Sequence, residues 1–217
     1  MQASQPTTIK PLSLRPFLLL LLALAVLAGA SLWLTAWCWP RYGERACSLY
    51  VQPVDFLMSL AIFALVTLVF DQSWGKLVLY SIAISAAVIL GSLAARLIFT
   101  ALALPFHSFP DFLSFLGSTL VRLLYLAAIQ TFIPAAILRG LLRRDAQRIT
   151  LKSAAIFGVI LGAVYAIFIT ALFGLAAVLQ PGSVAPVYNF TWTNMLSALT
   201  LGLAAFVGVL VGKRLRT

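Results

Sequence analysis

Cys38 and Cys47 are the only cysteines in a chain of 217 residues, and they bracket "CWPRYGERAC", the most polar stretch of its first fifty residues. Pro40 and Gly43 lie between them and favour a reversal of the chain, so the pair suits a disulfide-closed loop wherever the loop meets an oxidising compartment. Such a short closure stabilises by roughly 2 to 3 kcal/mol on the chain-entropy model. The competing chemistry takes Cys47 as a nucleophile. Its thiolate would be favoured by Arg41, Arg45 or Arg96, and His107, the single histidine, would serve as general base. The two uses of Cys47 exclude each other.

Three further polar residues stand out because their surroundings are apolar. Arg122 and Gln130 fall about two turns apart in one hydrophobic segment, with Pro134 four residues beyond Gln130 to add a kink of the kind that lines cavities. Arg122 either snorkels outward or pairs with Asp55 or Asp111, and Arg122, Gln130 and Asp55 together form the candidate polar cavity. No Asp, Glu, His or Lys is expected at mid-membrane depth, which argues against a proton relay or a carboxylate sodium site. One His and two separated Cys do not make a zinc, haem or iron–sulfur ligand set, so no metal and no cofactor are expected. The chain has no Gly-rich phosphate loop, no Walker motif and no nucleophile-elbow serine. The sequon Asn189, Phe190, Thr191 is a candidate glycosylation site.

The elements that must hold these residues are dictated by composition. Hydrophobic residues make up 63% of the chain and charged residues 9%, with a mean hydropathy of +1.07. A soluble domain carries about 25% charged residues. Apolar runs of roughly 20 residues, enough to cross about 30 Å of hydrocarbon as helix, recur throughout. Six are expected: Phe17 to Trp37, Val54 to Phe70, Leu77 to Leu97, Leu116 to Leu138, Ala154 to Leu179 and Phe190 to Val211. The reading is an all-α polytopic membrane bundle of six transmembrane helices, with a tail over 1–16, the helical domain over 17–212 and a basic tail over 213–217. The first segment also has signal-peptide character, with "AGA" at Ala28 to Ala30, but its apolar run continues to Trp33, Trp37 and Trp39, and an uncleaved helix is expected.

Charge sets the expected orientation, since basic residues beside spans are retained on the cytoplasmic side. With both termini cytoplasmic, Lys10, Arg15, Lys76, Arg139, Arg143, Arg144, Arg148, Lys152, Lys213, Arg214 and Arg216 lie inside, eleven of the fifteen basic residues. Including Asp71 and Asp145, the inner side carries +9 and the outer side +1, which accounts for the net +10. Contact with anionic membrane lipid therefore explains the basicity, and no nucleic acid is expected as a partner. The expected location is the cytoplasmic (inner) membrane. Outside it, Phe106, Phe109, Phe112 and Phe115 flank His107 and suit a segment lying in the interface.

Helices in lipid pack through small residues that let backbones approach. One stripe runs through Ala154, Gly158, Gly162, Ala166, Thr170 and Gly174, a second through Ala83, Ala87, Gly91 and Ala95, and a third through Thr200, Ala204, Gly208 and Gly212. These faces either pack on one another within the chain or present one face to another membrane subunit.

Three functional readings follow. The first is a non-catalytic accessory or structural subunit of a larger membrane complex. The second is a small substrate-binding component of a transporter, with an apolar cavity open to the outside and Trp37, Tyr125 and Trp192 near its mouth. In its six short-looped spans the chain resembles the membrane subunits of energy-coupling-factor vitamin transporters, a likeness of size and topology. The third rests on "ACS" at Ala46 to Ser48 and "AAR" at Ala94 to Arg96, which resemble motifs of the exosortase and archaeosortase transpeptidases. That resemblance covers about a third of the chain and implies that Cys47, Arg96 and His107 act together on a sorting signal. The chain departs from the pattern at Leu49, where a Gly is usual, in lacking an Asn before Arg96, in the short spacing from Arg96 to His107, and in two extra spans.

Overall fold

A computed structural model describes residues 14–101, 121, 123–143, 145–179 and 187–216, and every element of regular structure among them is helical. Among the described residues six helices are long and apolar enough to cross a membrane: α1 (Leu14–Gly43), α2 (Leu49–Val69), α3 (Trp74–Ala101), α4 (Leu123–Leu142), α5 (Leu151–Leu179) and α6 (Val187–Arg216). The protein is a multi-pass membrane protein.

The expected cysteine loop is not a loop. Helical backbone runs through this region and is broken only at Gly43, where φ is 75° and ψ is 171°. Only glycine enters that region without a steric penalty. Pro40 sits in the last turn of α1 and Pro53 near the start of α2, both tolerated close to helix ends where fewer backbone bonds are lost. The polar residues of this stretch therefore extend two helices beyond their apolar cores.

Other boundaries also move outward. After α2 the chain turns within Phe70 to Ser73, and the Ser73 carbonyl accepts the Leu77 N–H at 2.9 Å, so α3 begins at Trp74. Ser153 and Thr150 cap the start of α5 reciprocally: Thr150 N–H donates to Ser153 Oγ at 2.8 Å, and Ser153 N–H donates to Thr150 Oγ1 at 3.2 Å. At the other end of the chain, helix α6 runs through Lys213 and Arg214 to Arg216, where a tail was expected. Cations in that last turn oppose the negative end of the helix dipole.

The antiparallel α1–α2 hairpin lies against α3 and α6, and α5 lies against α6. Glycines set the closest approaches. A Cβ on Gly91 of α3 would collide with the Ala25 carbonyl of α1. One on Gly158 of α5 would lie 2.5 Å from the Gly202 carbonyl oxygen of α6, and one on Gly162 would lie 3.0 Å from that of Ala198. On another face of α6, a Cβ on Gly208 would lie 2.7 Å from the Phe63 Cβ, and one on Gly212 would lie 2.6 Å from the Thr67 Cβ, both on α2. The core consequently forms around the second half of α2 and the turn after it, buried continuously from Ala61 to Gln72.

Candidate functional site

At one end of the bundle, Cys38 and Cys47 are joined as a disulfide with their Cα atoms 5.3 Å apart, pinning α1 to the helical segment that leads into α2 across the Gly43 kink. Both sulfurs are buried beneath Leu34 and Val51. Outside them runs an exposed chain of rings: Trp33 stacks on Trp37 at 6.4 Å, Trp37 meets Tyr42 at 5.8 Å and Tyr42 meets Tyr50 at 5.7 Å. The Arg41 guanidinium lies 4.8 Å from the Trp37 ring centre. Amphipathic rings grouped in this way suit a membrane–water interface.

That disulfide leaves Cys47 without a thiol, so the transpeptidase reading has no nucleophile here. Of its other members, Arg96 lies on α3, and His107 falls outside the described residues. So do Arg122 and the Phe106 to Phe115 stretch, and the surroundings of Gly174, Asn189 and Trp192 are likewise not described.

Asp55 and Gln130 belong to different places. Asp55 accepts a hydrogen bond from Ser31 Oγ at 2.7 Å, between α2 and α1. Gln130 instead lines a cavity of about 170 Å³ enclosed by α2, α4, α5 and α6. This cavity lies at half-height: Ser59 is the midpoint of α2, Tyr165 the midpoint of α5, and Leu201 is central in α6. Its inner wall is made by Ile62, Phe63 and Leu161, all buried. Tyr125, Ile133, Val164 and Phe168, each 36–45% exposed, place the opening on the flank between α4 and α5. An opening toward the outer aqueous side was expected. Of the three aromatics assigned to the mouth, Tyr125 lines the cavity, whereas Trp37 lies in the ring chain beside the disulfide.

The α4 wall has an unusual backbone. Residues Leu126–Phe132 form a π-helix, and the Ile133 N–H donates to the Ala128 carbonyl, five residues back. Pro134 has no N–H to offer Ile129 at the same spacing, and Ile133, the α-helical donor for Ile129, is already engaged. Short π segments inside α-helices are frequent at functional sites. Thr131 is buried and donates to the Ala127 carbonyl at 2.6 Å, steadying the widened turn.

Four polar side chains face this space: Ser59, Tyr125, Gln130 and Tyr165. None of them makes a hydrogen bond to another described residue. Unsatisfied polar groups are costly in a hydrocarbon setting, where no solvent replaces the missing partner. No Asp, Glu, Lys, Arg or His is among the lining residues.

At the end opposite the disulfide, a clasp joins the α2–α3 turn to the ends of α4, α5 and α6. Arg216 pairs with Asp71 and also donates to the Thr67 carbonyl at 3.0 Å. Arg139 donates to the Gln72 carbonyl at 2.7 Å and lies 4.1 Å from the Trp74 ring centre. Lys213 donates to the Ile149 carbonyl at 2.6 Å. Sequence reasoning assigned these cations to lipid; three of them turn inward to cap carbonyls and a carboxylate instead. Nothing in the linear pattern marks which cations do so.

The small-residue stripes meet within the chain, though not stripe to stripe. Gly158, Gly162 and Ala166 of α5 lie beside Ala198 and Gly202 of α6, while Gly208 faces α2 and Gly91 faces α1. No protein family, curated protein or solved structure matches this chain.

Proposed function

We infer that this protein is a small-molecule-binding membrane component, of the kind that captures a substrate for transport. The observation that supports the reading is the half-height cavity, whose four polar side chains make no hydrogen bond to another described residue. Hydroxyl and amide groups without hydrogen-bond partners raise the free energy of an empty apolar cavity, and a ligand that supplies those partners recovers it.

The reading places the chain in a cytoplasmic membrane with both termini inside. Two independent features support that orientation. The clasp end holds Arg139, Arg148, Lys213 and Arg216, consistent with cytoplasmic retention of basic residues. The opposite end holds a disulfide, consistent with an oxidising compartment.

A second reading, a non-catalytic subunit of a larger membrane complex, is favoured by the outer groove between α5 and α6. Its floor contains Gly158, Gly162 and Gly202, and its rims contain the exposed Val159, Leu199 and Leu203. Native mass spectrometry of the full chain released from membranes in mild detergent separates the two. A retained small organic molecule, lost from Val164→Trp, supports the first. A chain free of small molecules but bound to other subunits supports the second and overturns the first.

A further inference from the structure

We propose that the ligand of the half-height cavity is an uncharged, six-membered-ring compound bearing hydroxyl or carbonyl oxygen, a phenol- or quinone-like head, which enters from the lipid between α4 and α5. The proposal rests on the reading of this cavity as a ligand site.

Size comes first. An apolar cavity of about 150 Å³ holds a benzene molecule. The cavity here, at about 170 Å³, has room for one ring and a few further atoms. A longer substituent would leave through the opening, where Val164 and Phe168 are exposed on the flank. Bulky fused-ring compounds exceed the enclosed space.

Shape and polarity narrow the class further. Phe63, Tyr125, Tyr165 and Phe168 are four of the thirteen lining residues, whereas aromatic residues make up 12% of the chain. Aromatic walls favour a flat ring through offset or edge-to-face contacts over a flexible alkyl chain. Charge is excluded by the wall itself. With no ionisable residue but tyrosine lining the cavity, a carboxylate, phosphate or ammonium would be buried without a counter-charge. What the wall offers instead is the Gln130 amide and the hydroxyls of Ser59, Tyr125 and Tyr165, which donate to a carbonyl and both donate to and accept from a hydroxyl.

The test uses three probes of matched size on the full chain in lipid nanodiscs: para-propylphenol, propylbenzene and para-propylbenzoate. Binding is read by titration calorimetry against empty nanodiscs. The phenol should bind saturably, propylbenzene about tenfold more weakly for the loss of its hydrogen bonds, and the benzoate not at all. Gln130→Leu with Tyr165→Phe should bring the phenol down to the level of propylbenzene, and each single variant should fall between. Val164→Trp, a substitution at the half-exposed mouth, should abolish saturable binding of both neutral probes. Equal affinity for phenol and propylbenzene would overturn the oxygen recognition, since the cavity would then be an apolar void suited to a lipid tail. Preference for the benzoate would overturn the neutral class while leaving a ligand site in place. Absence of saturable binding by any probe, together with a small molecule of another class retained in native mass spectrometry, would likewise reject the class alone. The same absence with no retained molecule rejects the site itself.

Discussion

Arg216, in the last turn of α6, reaches across the bundle end to the Asp71 carboxylate just beyond α2, and its second nitrogen takes the Thr67 carbonyl at 3.0 Å. Residues 145 positions apart are thereby joined by one guanidinium. Both side chains are mostly buried, at 14% and 9% exposure, so each neutralises a charge that water scarcely reaches. Asp71→Asn should destabilise the fold by about 3 kcal/mol, as expected when one partner of a buried pair is removed. Arg216→Lys should fall between wild type and Arg216→Leu, because an ammonium keeps the charge but not the planar fork. Thermal unfolding in detergent reads these effects, and an Asp71→Asn midpoint equal to wild type would show the pair to be energetically idle.

The disulfide makes a separate prediction about reactivity. In membranes from non-reducing cells, a maleimide reagent should label neither Cys38 nor Cys47 until a reductant is added. The double variant Cys38→Ser, Cys47→Ser should lose roughly 2 to 3 kcal/mol, the loop-closure contribution of a short bridge. Rapid labelling of Cys47 without reductant would restore the nucleophile that the transpeptidase resemblance requires.

Glycines at helix contacts should respond unequally to one added methyl group. Gly91→Ala would press a Cβ into the Ala25 carbonyl and Gly202→Ala would bring one to 2.8 Å from the Gly158 carbonyl oxygen, so both should lower the unfolding midpoint by forcing helices apart. Gly140 lies within α4 with nothing near a built Cβ. There the helix propensity of alanine is unopposed, and Gly140→Ala should raise stability by up to about 1 kcal/mol. Equal effects at all three positions would remove the case for close backbone contact.

Orientation can be read without activity. A single cysteine introduced at Tyr42 in the disulfide-free background should react with a membrane-impermeant maleimide applied to intact cells. One introduced at Lys152 should react only after the membrane is opened. The reverse pattern would invert the bundle and place the basic clasp outside.

Much of this architecture is legible in the linear chain. Six apolar runs long enough to span, a paucity of charge and an uneven distribution of Lys and Arg leave helices in lipid as the physical solution, because backbone groups have no other way to be satisfied there. The Cys38 and Cys47 pairing was legible too, from two thiols and a turn-forming glycine between them. Gln130 and Pro134 stand out in the apolar run of α4, and both line the cavity, whereas Asp55, grouped with Gln130 by sequence, does not.

What only tertiary structure decided is which faces meet. A spanning helix is apolar on its lipid side and on its packed side alike, so hydropathy carries little information about facing. The stripes of small residues show where a close contact can form; shape complementarity among all six helices decided that α5 would rest on Ala198 and Gly202 rather than on the stripe ending in Gly212. Asp55 accepts from Ser31 of α1, whereas Gln130 lines the cavity with Ser59, one turn along α2 from Asp55, and hydropathy marks neither facing. Tyr165 and Ser59, unremarkable among apolar neighbours in sequence, acquire a shared role only because four helices leave a gap at their common depth.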